Sequence, residues 1–448
     1  MKSFDLIVIG TGSGGSTAAA KCAKAGWNVA QIDSRPFGGT CALRGCDPKK
    51  VLIGAAELVD WSRRMTGKGI QSEVILNWPE LMAFKETFTQ PVPDNREEQM
   101  VKLGITPVHG RARFIDHSTI EIEGEHLKAK YFLIAAGAKP APLQIDGEEY
   151  LTDSTEFLNL TQLPKDITFI GGGYISFEFA FLSALAGSKV TILHRGERPL
   201  EQFDEGVVNI LLERARELDI EIHLNADVQT ISKEDGRFLV SGNQNGEKIE
   251  SMTGCVVHGA GRAPDIDDME LGKANISRTS KGIQVNDYLQ NVSNPKVYVA
   301  GDCADTKGLP LTPVAGFESH IVASNLLNGN HKKIEYPAQP TTLFTLPPLA
   351  TVGLTEQQAK EQGLNYQVKF KRTDDWYSYK RTNEPYTAYK TIIDKDSNTL
   401  LGAHILGSKS EEIINLFAMA MNHNLSTIDL KKMIFAYPSH ASDIPYML

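Results

Sequence analysis

Two glycine-rich turns constrain this chain more than any other feature. They are IGTGSGGSTAA, with Gly10, Gly12, Ser13, Gly14 and Gly15, and IGGGYISFEFA, with Gly171, Gly172 and Gly173. The first follows an unbroken apolar run over residues 4–9, the pattern of a parallel strand buried on both faces. Small residues over 16–25 then predict a helix, and 27–32 a second strand that ends at Asp33. That acid lies about 20 residues past the turn, where a βαβ unit bonds a ribose hydroxyl while the helix N-terminus holds a pyrophosphate. A glycine turn alone is weak evidence. The order strand, turn, helix, strand, acid is much stronger.

Size and charge exclude several classes. At 448 residues the chain exceeds one ordinary core, so two to four domains are expected. Its net charge of −9, without a basic tract, argues against nucleic acid as a partner. No apolar run approaches the ~20 residues of a membrane span. The opening MKSFDLIVIG runs straight into a strand and leaves no room for a signal peptide, so a reducing cytoplasm is the expected location. Five cysteines are too few for a disulfide framework, and a close pair in that setting reads as redox or metal chemistry. Metal is the weaker reading, because Cys22, Cys255 and Cys303 are scattered and no second pair matches the first.

The close pair is Cys41 and Cys46, inside GGTCALRGCDPKK. In an ideal helix, residues five apart have Cα atoms about 8.7 Å from each other. A disulfide needs less than about 7 Å. A bridge here therefore requires an irregular turn, and the strain would make the bond easier to reduce. Beside two nucleotide signatures, a reactive dithiol implies electrons passed from a nucleotide through a flavin to sulfur.

These motifs, with YVAGDCAD, the GAGRAPD turn at 259–265 and LPPLATVGLTEQQA at 346–359, resemble the flavin-dependent disulfide reductases. That family includes glutathione reductase, lipoamide dehydrogenase and mercuric reductase. The resemblance spans the whole chain, with the motifs in the family's order. It implies an α/β fold with two Rossmann-like dinucleotide-binding domains and a C-terminal α+β dimerisation domain. The expected divisions are 1–149 with 267–334 for FAD, 150–266 for NAD(P)H, and 335–448 for the interface. The implied FAD contacts are the first glycine motif, Asp33, Thr40, Ala112, Asp302 and Thr312. Cys41 and Cys46 match the redox disulfide, with Cys46 nearer the flavin and Cys41 meeting substrate. Lys50 and Glu178 match the ion pair near flavin N5. Tyr174 matches the aromatic lid over the nicotinamide pocket, and Gly172, Ile175 and Gly261 match other nucleotide contacts.

The nucleotide can be argued from charge. An acid closing the second strand of such a unit bonds a free 2′-hydroxyl, whereas a 2′-phosphate needs a cation. Here the strand ends in His194 and Arg195, with Arg198 close by, so NADPH is expected rather than NADH. Glu201 stands where the family's NADPH users often have a second arginine.

The tail departs from the family. The usual histidine, with a glutamate five residues on, handles thiol protons in the partner subunit's site. This chain reads FAYPSHASDIPYML, which places Tyr437 at the histidine position and Ser442 at the glutamate position. A tyrosine hydroxyl, with a reference pKa of about 10, is a poor base at neutral pH but can donate a hydrogen bond. His440 could substitute only on a different chain path. Substrate positions depart too. Ala20 and His320 replace the arginines that grip glutathione, and no cysteine follows Cys303 to serve mercury. Arg44 favours a thiolate and Asp47 opposes one. The expected function is an NADPH-dependent FAD flavoprotein passing electrons to a thiol-reactive small acceptor, acting as a homodimer with a shared site. The alternatives are a quinone-reducing diaphorase and a flavin-bearing redox sensor with little turnover.

Overall fold

The computed structural model describes residues 2–448. It separates into two compact units. The first takes the chain up to Lys49, Phe84–Ala141 and Arg262–Tyr336. The second takes Lys50–Ala83, Pro142–Gly261 and Pro337–Leu448.

The first unit is built on a seven-stranded sheet. Thr106–His109, Val29–Asp33, Lys2–Ile9 and Glu125–Ile134 run parallel in that order, and Val297–Val299 adds to Glu125–Ile134, also parallel. The short strands Thr119–Ile122 and Arg113–Asp116 continue the sheet antiparallel. Leu6, Ile7 and Val8 are wholly buried, as the unbroken apolar run requires. Gly10 follows at a φ of +112°, which side chains rarely adopt, and a Cβ there would collide with the Ala135 carbonyl oxygen. The helix Ser13–Lys24 begins three residues before the expected start. Its small face, Ala18, Ala19 and Cys22, is buried, and Ser319 Oγ on the helix Thr312–Asn328 accepts from the Ala18 N–H at 3.0 Å. Pro91 and Pro93 stand at a break between helices: Trp78–Thr89 ends before them, and they cap and open Val92–Lys102, where a missing N–H costs nothing.

The second unit holds three sheets. Ile220–His223, Lys189–Leu193, Asp166–Ile170 and Cys255–His258 form an all-parallel sheet, the second nucleotide-type layer. The helix Tyr174–Leu185 packs on it through Phe177, Phe181 and Leu182, all wholly buried. Phe179 stacks on Phe157 with ring centroids 4.2 Å apart. Ala226–Glu234, Arg237–Gln244 and Glu247–Thr253 form an antiparallel meander. Thr341–Leu343, Leu349–Gly353, Leu400–Leu406, Ala388–Asp394 and Tyr366–Arg372 form a five-stranded antiparallel sheet covered by the helix Ser410–Asn422. That sheet and its helix are the α+β segment expected from about residue 335. A buried ionic cluster ties three of this unit's elements: Asp60 pairs with Arg64 at 2.7 Å and with Arg214, and Arg64 Nη1 donates to the Thr382 carbonyl at 2.6 Å. Among the described residues no helix is long and apolar enough to cross a membrane, and no cluster of three or more His, Cys, Asp or Glu could hold a metal ion.

Candidate active site

The dithiol sits on a broken helix. Gly39–Arg44 forms one short helix and Cys46–Met65 a second of 20 residues, with Gly45 between them at φ −149° and ψ −115°. A Cβ on Gly45 would come within 2.9 Å of the Thr40 carbonyl oxygen. The joint is the irregularity that residues five apart need in order to bridge. Both cysteines are free thiols here. Cys41 Sγ donates to Asp47 Oδ1 at 3.7 Å, and Cys46 Sγ lies 3.6 Å from Thr312 Oγ1. Cys46 opens its own helix and Thr312 opens Thr312–Asn328, so two helix N-termini meet at one sulfur. Their positive ends favour a thiolate there.

The two sulfurs share one proton. The Cys41 S–H, shared between Asp47 Oδ1 and a bond to Cys46, lowers the Cys46 pKa to about 6, with Thr312 and Lys49 adding to the effect. The same bond, then burial, pushes Cys41 far up. At neutral pH the pair is a thiol at Cys41 and a thiolate at Cys46, and its first proton loss belongs to the pair. The other cysteines are packing residues. Burial raises Cys22 and Cys303 to about 12, and Cys303 Sγ donates to the carbonyls of Ile134 and Ala300 at 3.5 and 3.6 Å.

Both glycine motifs present bare helix starts. Ser13–Lys24 and Tyr174–Leu185 begin at Gly12 and Gly173 with no side-chain cap, while Ser154–Phe157 and Glu356–Glu361 carry full capping boxes. Uncapped first-turn amides at a glycine turn fit a pyrophosphate. In the first unit Gly14 lies against the Ala300 carbonyl, where a Cβ would reach 3.0 Å. Asp33 Oδ2 accepts from the Thr11 N–H at 3.0 Å and the Thr11 hydroxyl at 2.6 Å, so Thr11 orients the acid. The sequence reading missed that residue. Asp302 is half-buried, and burial raises its pKa against the opposing pull of Arg262. Ala112 is buried and Thr40 exposed. The donor set of the first unit thus fits a dinucleotide: bare amides, a glycine approach and an acid at the strand end.

In the second unit the turn after Lys189–Leu193 corrects one expectation. His194 spends both ring nitrogens locally: Nδ1 accepts from the Gly172 N–H at 3.0 Å, and Nε2 donates to the Arg198 carbonyl at 3.0 Å. It shapes the turn and has no nitrogen left for a phosphate. Arg198 Nη2 donates to the Glu201 carbonyl at 2.6 Å, and Nη1 lies 4.0 Å from Glu205. Arg195 is exposed, as a phosphate-binding cation must be. Tyr174 and Gly261 are exposed and Ile175 half-buried around the same motif. Lys50 and Glu178 both meet Phe344: the Lys50 ammonium lies 4.3 Å from its ring centroid, and Glu178 Oε1 accepts its N–H at 2.9 Å. Phe344 carried no recognisable signal in the sequence.

The tail keeps its two candidates apart. Tyr437 is 80% exposed and neighbours Ile434 at 100%. His440 folds onto its own chain, edge-on to Tyr379 with centroids 5.0 Å apart, and burial lowers its pKa to about 4. The Ser442 hydroxyl donates to the Ser439 carbonyl at 2.6 Å. His440 therefore does not take the alternative path that a catalytic role required.

The pyridine nucleotide-disulphide oxidoreductase model matches residues 4–319, and the dimerisation-domain model of the same family matches 339–447. The chain belongs to that family. As a pyridine nucleotide-disulphide oxidoreductase it is an FAD-dependent enzyme that uses NAD(P)H. An uncharacterized 19.7 kDa protein in a mercuric resistance operon of Staphylococcus aureus is 56% identical over 40% of this chain and all of its own length. The mercuric reductase of Lysinibacillus sphaericus is 32% identical over 98% of this chain and 81% of its own. Among solved structures, a Cu(II) complex of the HOCl-induced flavoprotein disulfide reductase RclA from Escherichia coli matches with a TM-score of 0.89, at 27% identity over 100% of this chain and 99% of that one.

Proposed function

We propose that this oxidoreductase uses NADPH, through FAD and the Cys41–Cys46 pair, to reduce small sulfur-centred electrophiles whose leaving group departs without a proton. Glutathione disulfide is not a good substrate on this reading. One observation carries it: the tail offers Tyr437 where the family keeps its proton-handling histidine, while His440 is turned inward against Tyr379. Exchange at sulfur is fastest when the leaving thiol has a low pKa, so an enzyme without a positioned imidazole is suited to activated acceptors. The likeness to a reductase described as HOCl-induced supports that class, since hypochlorite converts thiols into sulfur electrophiles. The lack of any cysteine after Cys303 weighs against mercury despite the mercuric relatives.

The residues would divide the work as follows. Bound FAD supplies the relay of two electrons from nicotinamide to sulfur. Arg195 holds the 2′-phosphate and Tyr174 covers the nicotinamide pocket. Cys46, held as a thiolate beside Thr312, would be the inner thiol that serves the flavin. Cys41 attacks the acceptor, and Tyr437 of the second subunit donates a hydrogen bond to it. The domain divisions at 150, 267 and 335 and a cytoplasmic setting belong to the same proposal. Steady-state NADPH oxidation tests it. An activated aromatic disulfide should turn over at least about tenfold faster than glutathione disulfide, and the reverse order overturns the reading.

A further inference from the structure

The family's proton acceptor is missing from the tail, yet the outer thiol is not without one. Asp47 follows Cys46 directly in the first turn of the helix Cys46–Met65, and its Oδ1 takes the hydrogen bond from Cys41 Sγ at 3.7 Å. A carboxylate beside a thiol can act in two opposed ways. As a bare charge it disfavours the thiolate and slows Cys41. As a base in contact with the S–H it removes the proton during attack and speeds it. The geometry favours the second, because Asp47 Oδ1 lies within hydrogen-bond reach of the Cys41 sulfur that must give up its proton. We propose that Asp47 is the catalytic base and then the acid for Cys41, replacing within one chain the residue that the tail lacks.

The arithmetic of protons favours this arrangement. The reduced pair carries one proton, on Cys41, with Cys46 as the thiolate. If Cys46 took that proton during attack, it would lose the charge it needs for the second step. With Asp47 as acceptor both steps run. Cys41 sulfur attacks the sulfur of an acceptor R–S–X, the S–X bond breaks, X leaves with the electron pair, and the proton passes to Asp47. Cys46 thiolate then attacks the Cys41 sulfur of the mixed disulfide, R–S leaves, and Asp47 returns its proton to give R–SH. The Cys41–Cys46 bond has formed, R–S–X has been reduced by two electrons, and Asp47 is again ionised. The titratable groups facing Asp47 are the two thiols, and Lys49 and Arg44 are the charged neighbours on the same two helices.

The inference rests on the proposed function for its acceptor, but its test separates the two. The holoenzyme is reduced with one equivalent of NADPH, and Cys41 alkylation by iodoacetamide is followed by mass spectrometry from pH 5 to 9. Reoxidation by 5,5′-dithiobis(2-nitrobenzoate) is followed in parallel. In Asp47→Asn, which keeps the oxygen acceptor but not the basicity, Cys41 alkylation below pH 7 should fall at least tenfold. Its rate should then climb log-linearly with pH, where the unaltered protein levels off toward low pH. Reoxidation should slow by about 10²-fold or more. Asp47→Glu should recover part of both. Flavin reduction by NADPH in each variant reports an intact fold. Faster or unchanged Cys41 alkylation in Asp47→Asn overturns the proposal and leaves Asp47 as a charge only. Failure of the unaltered reduced enzyme to react with the aromatic disulfide overturns the proposed function instead, and the alkylation arm still decides Asp47.

Discussion

At Cys46 the decisive quantity is where one proton sits. The residue's folded pKa of about 6 lies below the ordinary thiol value of about 8.5, because the Cys41 S–H, Thr312 and Lys49 all favour the anion. A depressed value gives stability that is present in full above the unfolded pKa and is lost as pH falls through the folded one. The two-electron-reduced protein should therefore lose its long-wavelength thiolate–flavin absorbance with a midpoint near pH 6, which a spectrophotometric titration reads directly. His440, neutral above about pH 4, should leave no inflection between 5 and 8 in that titration. A second residue-scale prediction concerns Arg195, the exposed cation at the end of Lys189–Leu193. Replacing it with alanine should raise KM for NADPH at least about tenfold and leave KM for NADH nearly unchanged, since a charge-assisted phosphate contact contributes roughly 1.5–3 kcal/mol. Equal effects on both nucleotides would remove the 2′-phosphate role. At this scale the motif cysteines, Asp33 and the two glycine turns were legible, because each obeys a local rule of spacing. The actual duty of His194 was not. A strand-end histidine looks like a phosphate ligand until its two nitrogens are found on Gly172 and Arg198.

Among the elements, the helix Cys46–Met65 is the one whose seating matters most. Its second-unit portion is held by charge rather than by grease alone: Asp60 stands between Arg64 and Arg214, all three with side chains at most 8% exposed. Removing the shared acid leaves the buried Arg64 without its paired anion and Arg214 with Glu217 alone. Asp60→Ala should cost about 3–5 kcal/mol, read as a lowered chemical-denaturation midpoint with little change in slope. A loss under 1 kcal/mol would mean that water replaces the carboxylate. The helix boundaries explain what the sequence could and could not tell. The start at Cys46 and the break at Gly45 depend on a close approach to Thr40, which no window of hydropathy registers. Pro91 and Pro93 mark the boundary between the helices Trp78–Thr89 and Val92–Lys102. Proline stops a helix from within but starts one from its first turn, and only the flanking fold says which applies.

For the whole molecule, the dimerisation-domain match over 339–447 coincides with an exposed apolar stretch: Met433 is 41% exposed, Ile434 100% and Tyr437 80%. An exposed apolar stretch of this kind fits an interface with a second copy. Ile434→Glu should convert a species of twice the 49.2 kDa chain mass to one of that mass in sedimentation, with the melting of the monomer's own sheets preserved. A dimer that survives the change would put the interface elsewhere. The nucleotide layers were legible from pattern, because parallel strands buried on both faces read as unbroken apolar runs; the antiparallel strands Ala388–Asp394 and Leu400–Leu406 are buried almost throughout too and carry no half-exposed alternation. Which residues face a second copy left no such rhythm. The one-residue joint at Gly45 has a last consequence for how the enzyme fares in a cell crowded with free thiols. Because only a glycine separates the short helix Gly39–Arg44 from Cys46–Met65, Cys46 is tethered next to any adduct formed on Cys41, at an effective concentration far above that of surrounding small thiols. Ring closure should then outpace capture from solution, so that an adduct on Cys41 is expelled rather than retained.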